Sequence, residues 1–396
     1  MYDLVIKGGW VYGADSGEFT VCDIGIQGGK IEKIGNVESE GAITVDGRGL
    51  YVTPGLIDMH CHIFPTFPFS KDCLPTIHPD VHMPASGVTT AVDAGTCGFE
   101  DFPIFKSQVI DLSPIRIFAF LNIAKGGMVH LSSEQDLADF NSEKAGELAF
   151  RESCIVGIKT AHYWADRPFD AIHHPWDSVD QALKAGEIAG KPVMVDFKPY
   201  GEERSYKKLL EKLRKGDIHT HIYAKHFELL DRQNRVLDFA EKARQKGIIF
   251  DLGHGEGSFV FEHACPAYEN GFYPDTISTD LYKDNVNGPA FNLVSLMSKY
   301  LAIGMPLEEV VFRVTKRPAQ VIGHPELGVL KEGGQADIAL LKLREEAVSF
   351  PDCDGKRVDG TKNLECRMTI CGGKVLYNPF GMGLPHWKRG AAKGKQ

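Results

Sequence analysis

Apolar and polar residues alternate with period two along the first fifty or so positions, in short runs broken by glycine pairs and Asn or Asp turns. The runs are Leu4-Val5-Ile6, Trp10-Val11-Tyr12, Val21 to Ile26, Lys30 to Ile34 and Ile43-Thr44-Val45. Side chains on a strand point alternately to opposite faces, so this pattern predicts half-buried antiparallel strands. Such a segment is too small to close a core alone. The same texture returns beyond residue 325, in Gly334 to Leu341, Cys366 to Ile370 and Gly373 to Tyr377. The two chain ends are therefore expected to share one small β-sandwich, residues 1–52 with 326–385, leaving 386–396 as a flexible tail.

Between 53 and 325 the pattern changes to short continuous apolar runs alternating with helical periods, which predicts βα units and a parallel sheet. The candidate strands are 55–61, 87–95, 116–124, 155–161, 192–198, 218–223, 248–253 and 276–281. Tyr206, Leu209, Leu210 and Leu213 fall on one helical face, as do Val236, Phe239, Ala240 and Ala243, with Gly247 as a stop. Eight such units over about 270 residues match a (β/α)8 TIM barrel, whose chemistry gathers at the C-terminal ends of its strands. A doubly wound open sheet is the rival; no G-x-G-x-x-G turn follows the first of these strands.

That first strand runs Pro54-Gly55-Leu56-Ile57-Asp58-Met59-His60-Cys61-His62. In an extended strand His60 and His62 face one side together with Asp58, offering two imidazoles to one metal, while Cys61 faces the other way into packing. A bare H-x-H is more often a strand end whose histidines merely hydrogen-bond. Downstream strand ends alter that weighting: Lys159 on the fourth, Asp196 on the fifth, His219-Thr220-His221 on the sixth and Asp280 on the eighth. Each alone has a dull explanation, such as a salt-bridged lysine or a capping aspartate. Together they supply the imidazole and carboxylate donors that zinc and its neighbours take.

Composition narrows the function classes. A net charge of -9 with no basic stripe argues against a nucleic-acid partner. No run is apolar and long enough to span a membrane, and Met1 leads straight into a strand-like segment without a signal peptide. The nine cysteines are scattered singly with no C-x-x-C pair, which points to a reducing, cytoplasmic setting, although a chain already cleared of a leader reads the same. The expected partner is a small-molecule substrate. A homo-oligomer is compatible with the sequence.

The Pro-Gly-Leu-Ile-Asp-x-His-x-His run, with Lys159, His221 and Asp280, resembles the amidohydrolase superfamily. Gly87 to Gly95, Ala119 to Ile123, Phe250 to Phe259, Thr276 to Leu281 and Met297-Ser298-Lys299 are similar to its amidohydrolase/deacetylase group, the dihydroorotase-like and D-aminoacylase-like proteins. The resemblance implies a barrel with a split β-sandwich and one or two divalent metals, Zn2+ with Mn2+ or Fe2+ as alternatives. One metal would bind His60, His62 and Asp280, the other His221 and the ligand on the fifth strand. Lys159 would carry a CO2-derived carbamate bridging two metals. The reaction implied is hydrolysis of an acyl amide or ester by metal-activated hydroxide, with Asp280 as base and then acid.

The chain departs from that pattern at the fifth strand, where the family has histidine and this sequence has Asp196. Asp196 is expected to bind the second metal directly, to act from behind the ligands, or to leave a site with one tightly bound ion, with His219 as an accessory ligand or a buried hydrogen-bonded residue. After the fourth strand, His162, Tyr163 and Arg167 are candidate substrate contacts, and so is His254 after the seventh. His78, His82, His173 and His174 read as loop residues. Dihydroorotases usually carry an arginine two residues after H-x-H; here that position is Phe64. Deaminases of the adenosine and cytosine type normally lack the bridging lysine and use an His-x-x-Glu pair that is not found here. The leading expectation is a deacylase acting on an N-acyl amino acid or acetylated hydroxy acid. A cyclic-amide hydrolase and a non-catalytic barrel serving as a binding subunit are the alternatives.

Overall fold

The computed structural model describes residues 1–66, 70–164 and 167–387. Most of the expected tail, residues 388–396, lies outside them. Five strands come first: β1 Leu4–Tyr12, β2 Phe19–Gln27, β3 Lys30–Gly35, β4 Ile43–Asp46 and β5 Tyr51–Pro54. Seven more follow: β6 Leu56–Cys61, β7 Val88–Gly98, β8 Arg116–Asn122, β9 Ile155–Thr160, β10 Val193–Val195, β11 Ile218–His219 and β12 Ile249–Phe250. The chain ends in β13 Ile338–Pro351, β14 Arg357–Cys371 and β15 Lys374–Tyr377.

The two ends do come together. Their ladder is one eight-stranded sheet, β15-β14-β13-β5-β1-β2-β3, with β4 beside the first half of β1. This differs from the expected sandwich in that hydrogen bonding joins all eight strands continuously. Leu4, Ile6, Ile24, Ile26, Val45, Val52, Ile338, Leu340, Met368 and Ile370 pack into one apolar cluster on it. Beyond that cluster β13 and β14 continue as an exposed hairpin, paired out to Pro351 and Arg357.

β6 to β12 form a seven-stranded parallel sheet in sequence order. Alternate residues from these strands, including Ile57, Met59, Val92, Ala94, Phe120, Met194, Ile218 and Ile249, meet in one interior cluster, so the sheet is curled. Ala319, Ile322 and Leu327 enter the same cluster. The eighth expected strand, 276–281, is not a regular strand. It makes parallel bridges to both sheet edges, Thr276 to Asp251 and Leu281 to Cys61.

The helices cover the outer face. Tyr206–Lys212 buries Tyr206, Leu209 and Leu210, and its N-cap Ser205 accepts a bond from Lys208 N. Asp238–Lys246 buries Ala240 and Ala243 and ends at Gly247. Val236 lies ahead of that helix, bridged to Leu230, which corrects the helical reading at its N-terminal end. Among the described residues no helix is long and apolar enough to cross a membrane. No disulfide joins the cysteines among the described residues, and Cys61 packs in the outer layer.

Candidate active site

Ile57 and Met59 face the interior of the curled sheet, and strict alternation would then turn His60 away from it. A register irregularity in the β6–β7 pairing, between Asp58 and Cys61, resets the sequence of faces. His60 and His62 consequently both line one cavity at the C-terminal ends of the strands. Asp58 does not join them. Its carboxylate accepts bonds from Thr279 Oγ1 at 2.5 Å and Thr279 N at 3.1 Å, and burial pushes it up to about 7.

Asp280 meets the two histidines from the 276–281 segment that bridges the two sheet edges. His62 Nε2 lies 3.0 Å and His60 Nε2 3.3 Å from Asp280 Oδ1, and one donor atom from each residue falls within 4.8 Å of the others. Asp280 has φ +51°, a left-handed conformation that a non-glycine residue keeps only where its surroundings impose it. Those surroundings include a bond from its N–H to His60 O at 2.6 Å and one to its carbonyl from Asn285 Nδ2 at 2.7 Å.

The other ring nitrogen of each histidine is tied down. His60 Nδ1 donates to Thr220 Oγ1 at 3.0 Å, and Thr220 Oγ1 donates to Asp251 Oδ2 at 2.8 Å. Asp251 is fully buried and also takes hydroxyl bonds from Thr276 and Ser278. His62 Nδ1 is 2.8 Å from Thr96 Oγ1. With Nδ1 turned to these hydroxyls, Nε2 of both rings points to Asp280, the side on which a cation would sit. This is how orienting hydrogen bonds prepare imidazoles for a metal. Burial, then the Lys159 charge, hold the His60 ring well below its ordinary value, which keeps it neutral.

A second group completes the cavity. Lys159 is fully buried, its Nζ 3.3 Å from His60 Nε2 and 3.7 Å from Met194 Sδ. His221, at φ +61°, fixes Nδ1 on Gly253 O at 2.6 Å and sets Nε2 3.4 Å from Asp196 Oδ2. Burial opposes the Asp196 charge, yet His221, His162 and Lys159 hold this carboxyl well below its usual range. His162 Nε2 stands 3.8 Å from Asp196 Oδ2, while its Nδ1 is 2.7 Å from the buried Glu134. Burial opposes that charge too, but Glu134 holds His162 up at about 9. The cavity measures about 160 Å³, and Glu256, Tyr282, Leu74 and Met128 finish its wall. It shares Leu74 and His162 with a second space of about 720 Å³, whose lining includes Arg167.

Not every sequence candidate arrives here. His219 is absent from the cavity wall: its ring packs between Tyr206 and Phe227 in the outer layer, with both nitrogens unbonded. Ile218 is the inward residue of the two-residue β11, so His219 points outward and the positive φ at His221 breaks the alternation expected between them. His254 is also buried behind the wall, stacked on Phe259. Tyr163 is buried, with its hydroxyl on Asp177, and Arg167 lies over the Trp164 ring. Sequence reasoning missed Thr96, Thr220, Asp251 and Glu134. Thr220 and Asp251 carried a signal, a hydroxyl between two histidines and an aspartate in the apolar Ile248 to Leu252 run.

No protein-family model matches the chain. A protein named deacetylase from Brucella anthropi is 33% identical over 340 residues, covering 84% of this chain and 81% of its own length. A solved structure described as an adenine deaminase is 28% identical with a TM-score of 0.83, covering 96% of this chain and 100% of that one. Another, described as a dihydroorotase, is 29% identical with a TM-score of 0.81, covering 95% and 98%. The chain belongs to the amidohydrolase superfamily and is a hydrolase.

Proposed function

We propose that the protein is a metal-dependent deacylase that hydrolyses an acyl amide or ester of a small molecule, of the N-acyl amino acid or acetylated hydroxy acid type. The observation that carries the reading is the convergence of His60 Nε2, His62 Nε2 and Asp280 Oδ1, with Nδ1 of each imidazole set against a threonine hydroxyl that can take its proton. Two neutral imidazoles and a carboxylate suit Zn2+, with Mn2+ or Fe2+ as substitutes. Such a cation, when bound, polarises a carbonyl and acidifies water.

The chain's own groups do the rest. Asp280 takes the proton of the attacking water and returns it to the leaving nitrogen or oxygen as the C–O bond forms and the acyl C–N or C–O bond breaks. An ammonium on Lys159, 3.3 Å from His60 Nε2, would repel a cation there. Reaction of its neutral amine with CO2, with loss of a proton, gives a carbamate and converts the repulsive group into a two-oxygen ligand. His221 and Asp196 would then face a second cation. His162 and Arg167 would hold the substrate's carboxylate, whereas Tyr163, His254 and His219 have no part in binding. In this reading the fold is a closed barrel with a sandwich made from 1–52 and 326–385, supported by the bridges through 276–281 and the terminal apolar cluster. Cysteines without disulfide bonds suit a reducing cytoplasm.

The second reading, opening of a cyclic amide, draws on the likeness to a structure described as a dihydroorotase. Phe64 counts against it: the side chain is buried against Phe105 and cannot clamp a carboxylate. Zinc-loaded protein assayed against N-acyl amino acids, acetylated hydroxy acids and cyclic ureides should release acyl groups. Ring opening without acyl release would overturn the first reading.

A further inference from the structure

The mechanism above leaves one buried amine unused, that of Lys299, which burial pulls down to about 7. Lys299, on the helix Leu293–Ile303, is 1% exposed. Its Nζ lies 2.6 Å from His254 Nε2, 2.6 Å from Pro351 O and 3.3 Å from Pro289 O, and 5.0 Å from the centre of the Phe259 ring. An ammonium has three N–H donors, and here they meet three acceptors. His254 Nδ1 donates to Gly255 O at 2.9 Å, which leaves Nε2 as the acceptor; burial and the Lys299 charge keep that ring neutral.

The acceptors belong to three separate parts of the chain: the turn after β12, the loop after 276–281 and the tip of the β13–β14 hairpin. The turn, Gly253-His254-Gly255, backs onto two of the residues that face the cavity. Gly253 O accepts from His221 Nδ1 at 2.6 Å, and a Cβ at Gly253 would lie 2.8 Å from that nitrogen. Gly255 N donates to Thr279 O at 3.0 Å, and a Cβ at Gly255 would lie 2.5 Å from Asp280 Oδ2. Both glycines have positive φ, so neither the space nor the backbone admits a larger residue. The same turn continues into Glu256, Gly257 and Ser258 of the cavity wall. The hairpin tip holds the far end of that loop, with Cys353 N donating to Phe259 O at 3.0 Å and Phe261 N donating to Asp352 Oδ2 at 3.0 Å.

We infer that Lys299 is a positioning residue which, through His254, ties the hairpin of the terminal sheet to the 253–255 turn and so fixes His221 and Asp280 relative to each other. The inference rests on the hydrolase reading, in which Asp280 serves one cation and His221 faces the second beside it. A buried methionine fills the volume of Lys299 without its three bonds, so a filler role and a positioning role separate in Lys299→Met.

The test uses full-length protein loaded with Zn2+ or Co2+, and three readouts. These are the rate of Zn2+ transfer to a chromophoric chelator, the visible spectrum of the Co2+ form, and thermal unfolding of the metal-free form. Lys299→Met should release Zn2+ at least about tenfold faster, the scale of losing an orienting partner, and should alter the Co2+ spectrum. His254→Leu, which breaks the link from its other side, should do the same. His254→Gln, whose amide oxygen again accepts from Lys299, should restore both. Release rates and spectra equal to wild type, with only the unfolding temperature lowered, would overturn the inference while leaving the hydrolase reading intact. Wild-type protein that takes up no divalent cation would overturn the hydrolase reading, and this inference with it.

Discussion

Asp251→Asn tests how His60 is aimed. The wild-type chain runs from His60 Nδ1–H to Thr220 Oγ1 and from the Thr220 hydroxyl to Asp251 Oδ2. Thr276 donates to Asp251 Oδ1 at 2.6 Å, and Ser278 Oγ lies 2.8 Å from both Oδ1 and Oδ2. An asparagine has one oxygen acceptor, and these two hydroxyls claim it. The amide NH2 then faces Thr220 and donates to its hydroxyl oxygen. The Thr220 proton must rotate towards His60 Nδ1, which can no longer donate, so the ring proton moves to Nε2, into the position a cation needs. Loss of such an orienting partner weakens metal binding by about 10 to 100-fold, or about 1.4–2.7 kcal/mol. Folding should suffer little, because the neutral amide escapes the cost of burying a charge at a site whose burial already pushes the carboxyl upward. The assay is Zn2+ competition against a chromophoric chelator, with unfolding of the metal-free proteins alongside. A dissociation constant within twofold of wild type, in a variant that folds normally, would refute the reasoning.

Four further outcomes follow from the same geometry. Asp280→Asn should lower kcat by about 10²–10⁴-fold, the usual share of a proton-transferring group, while a drop below threefold would remove Asp280 from the proton path. Zinc loading of metal-stripped wild type should slow in CO2-free buffer and recover with bicarbonate, whereas Lys159→Ala should show no bicarbonate response; equal behaviour of the two proteins would argue against the carbamate. Glu134 holds His162 up at about 9, so their attraction stabilises the fold fully below about pH 6.5 and is lost as pH rises through 9. With the His162 side chain 45% exposed, screening leaves about 1 kcal/mol; Glu134→Gln in metal-free protein should flatten urea stability across that window, and an unchanged slope would contradict the pairing. Asp196→His should change the metal content or the rate if Asp196 is a ligand, and no change in either would place it outside the ligand set.

Residue types at strand ends were legible in the sequence because a barrel repeats one local rule, an apolar strand ending at the mouth. That rule brought His60, His62, Lys159, His221 and Asp280 onto one cavity from positions more than two hundred residues apart. Sidedness was not legible. It depends on the irregularity between Asp58 and Cys61 and on positive φ at His221 and Asp280, and period-two reading passes over all three. For that reason it set Asp58 beside the histidines and turned His219 inward, and both are otherwise engaged. The orienting groups were hidden for another reason. Asp251 reaches His60 across 191 residues, and no local pattern marks a carboxylate whose partners are hydroxyls on other strands. The same holds for the hairpin tip on Lys299, since alternation predicts strands but not how far a hairpin reaches.

The central claim is that His60, His62 and Asp280 hold a catalytic divalent cation. Anomalous scattering from crystals grown with Zn2+, recorded on both sides of the zinc edge, tests it most directly. The account predicts a peak about 2.0–2.2 Å from His60 Nε2, His62 Nε2 and Asp280 Oδ1, with additional density on Lys159 Nζ. No anomalous peak at these three atoms, with the histidines still bonded to Asp280 and hydrolysis indifferent to chelators, would contradict it.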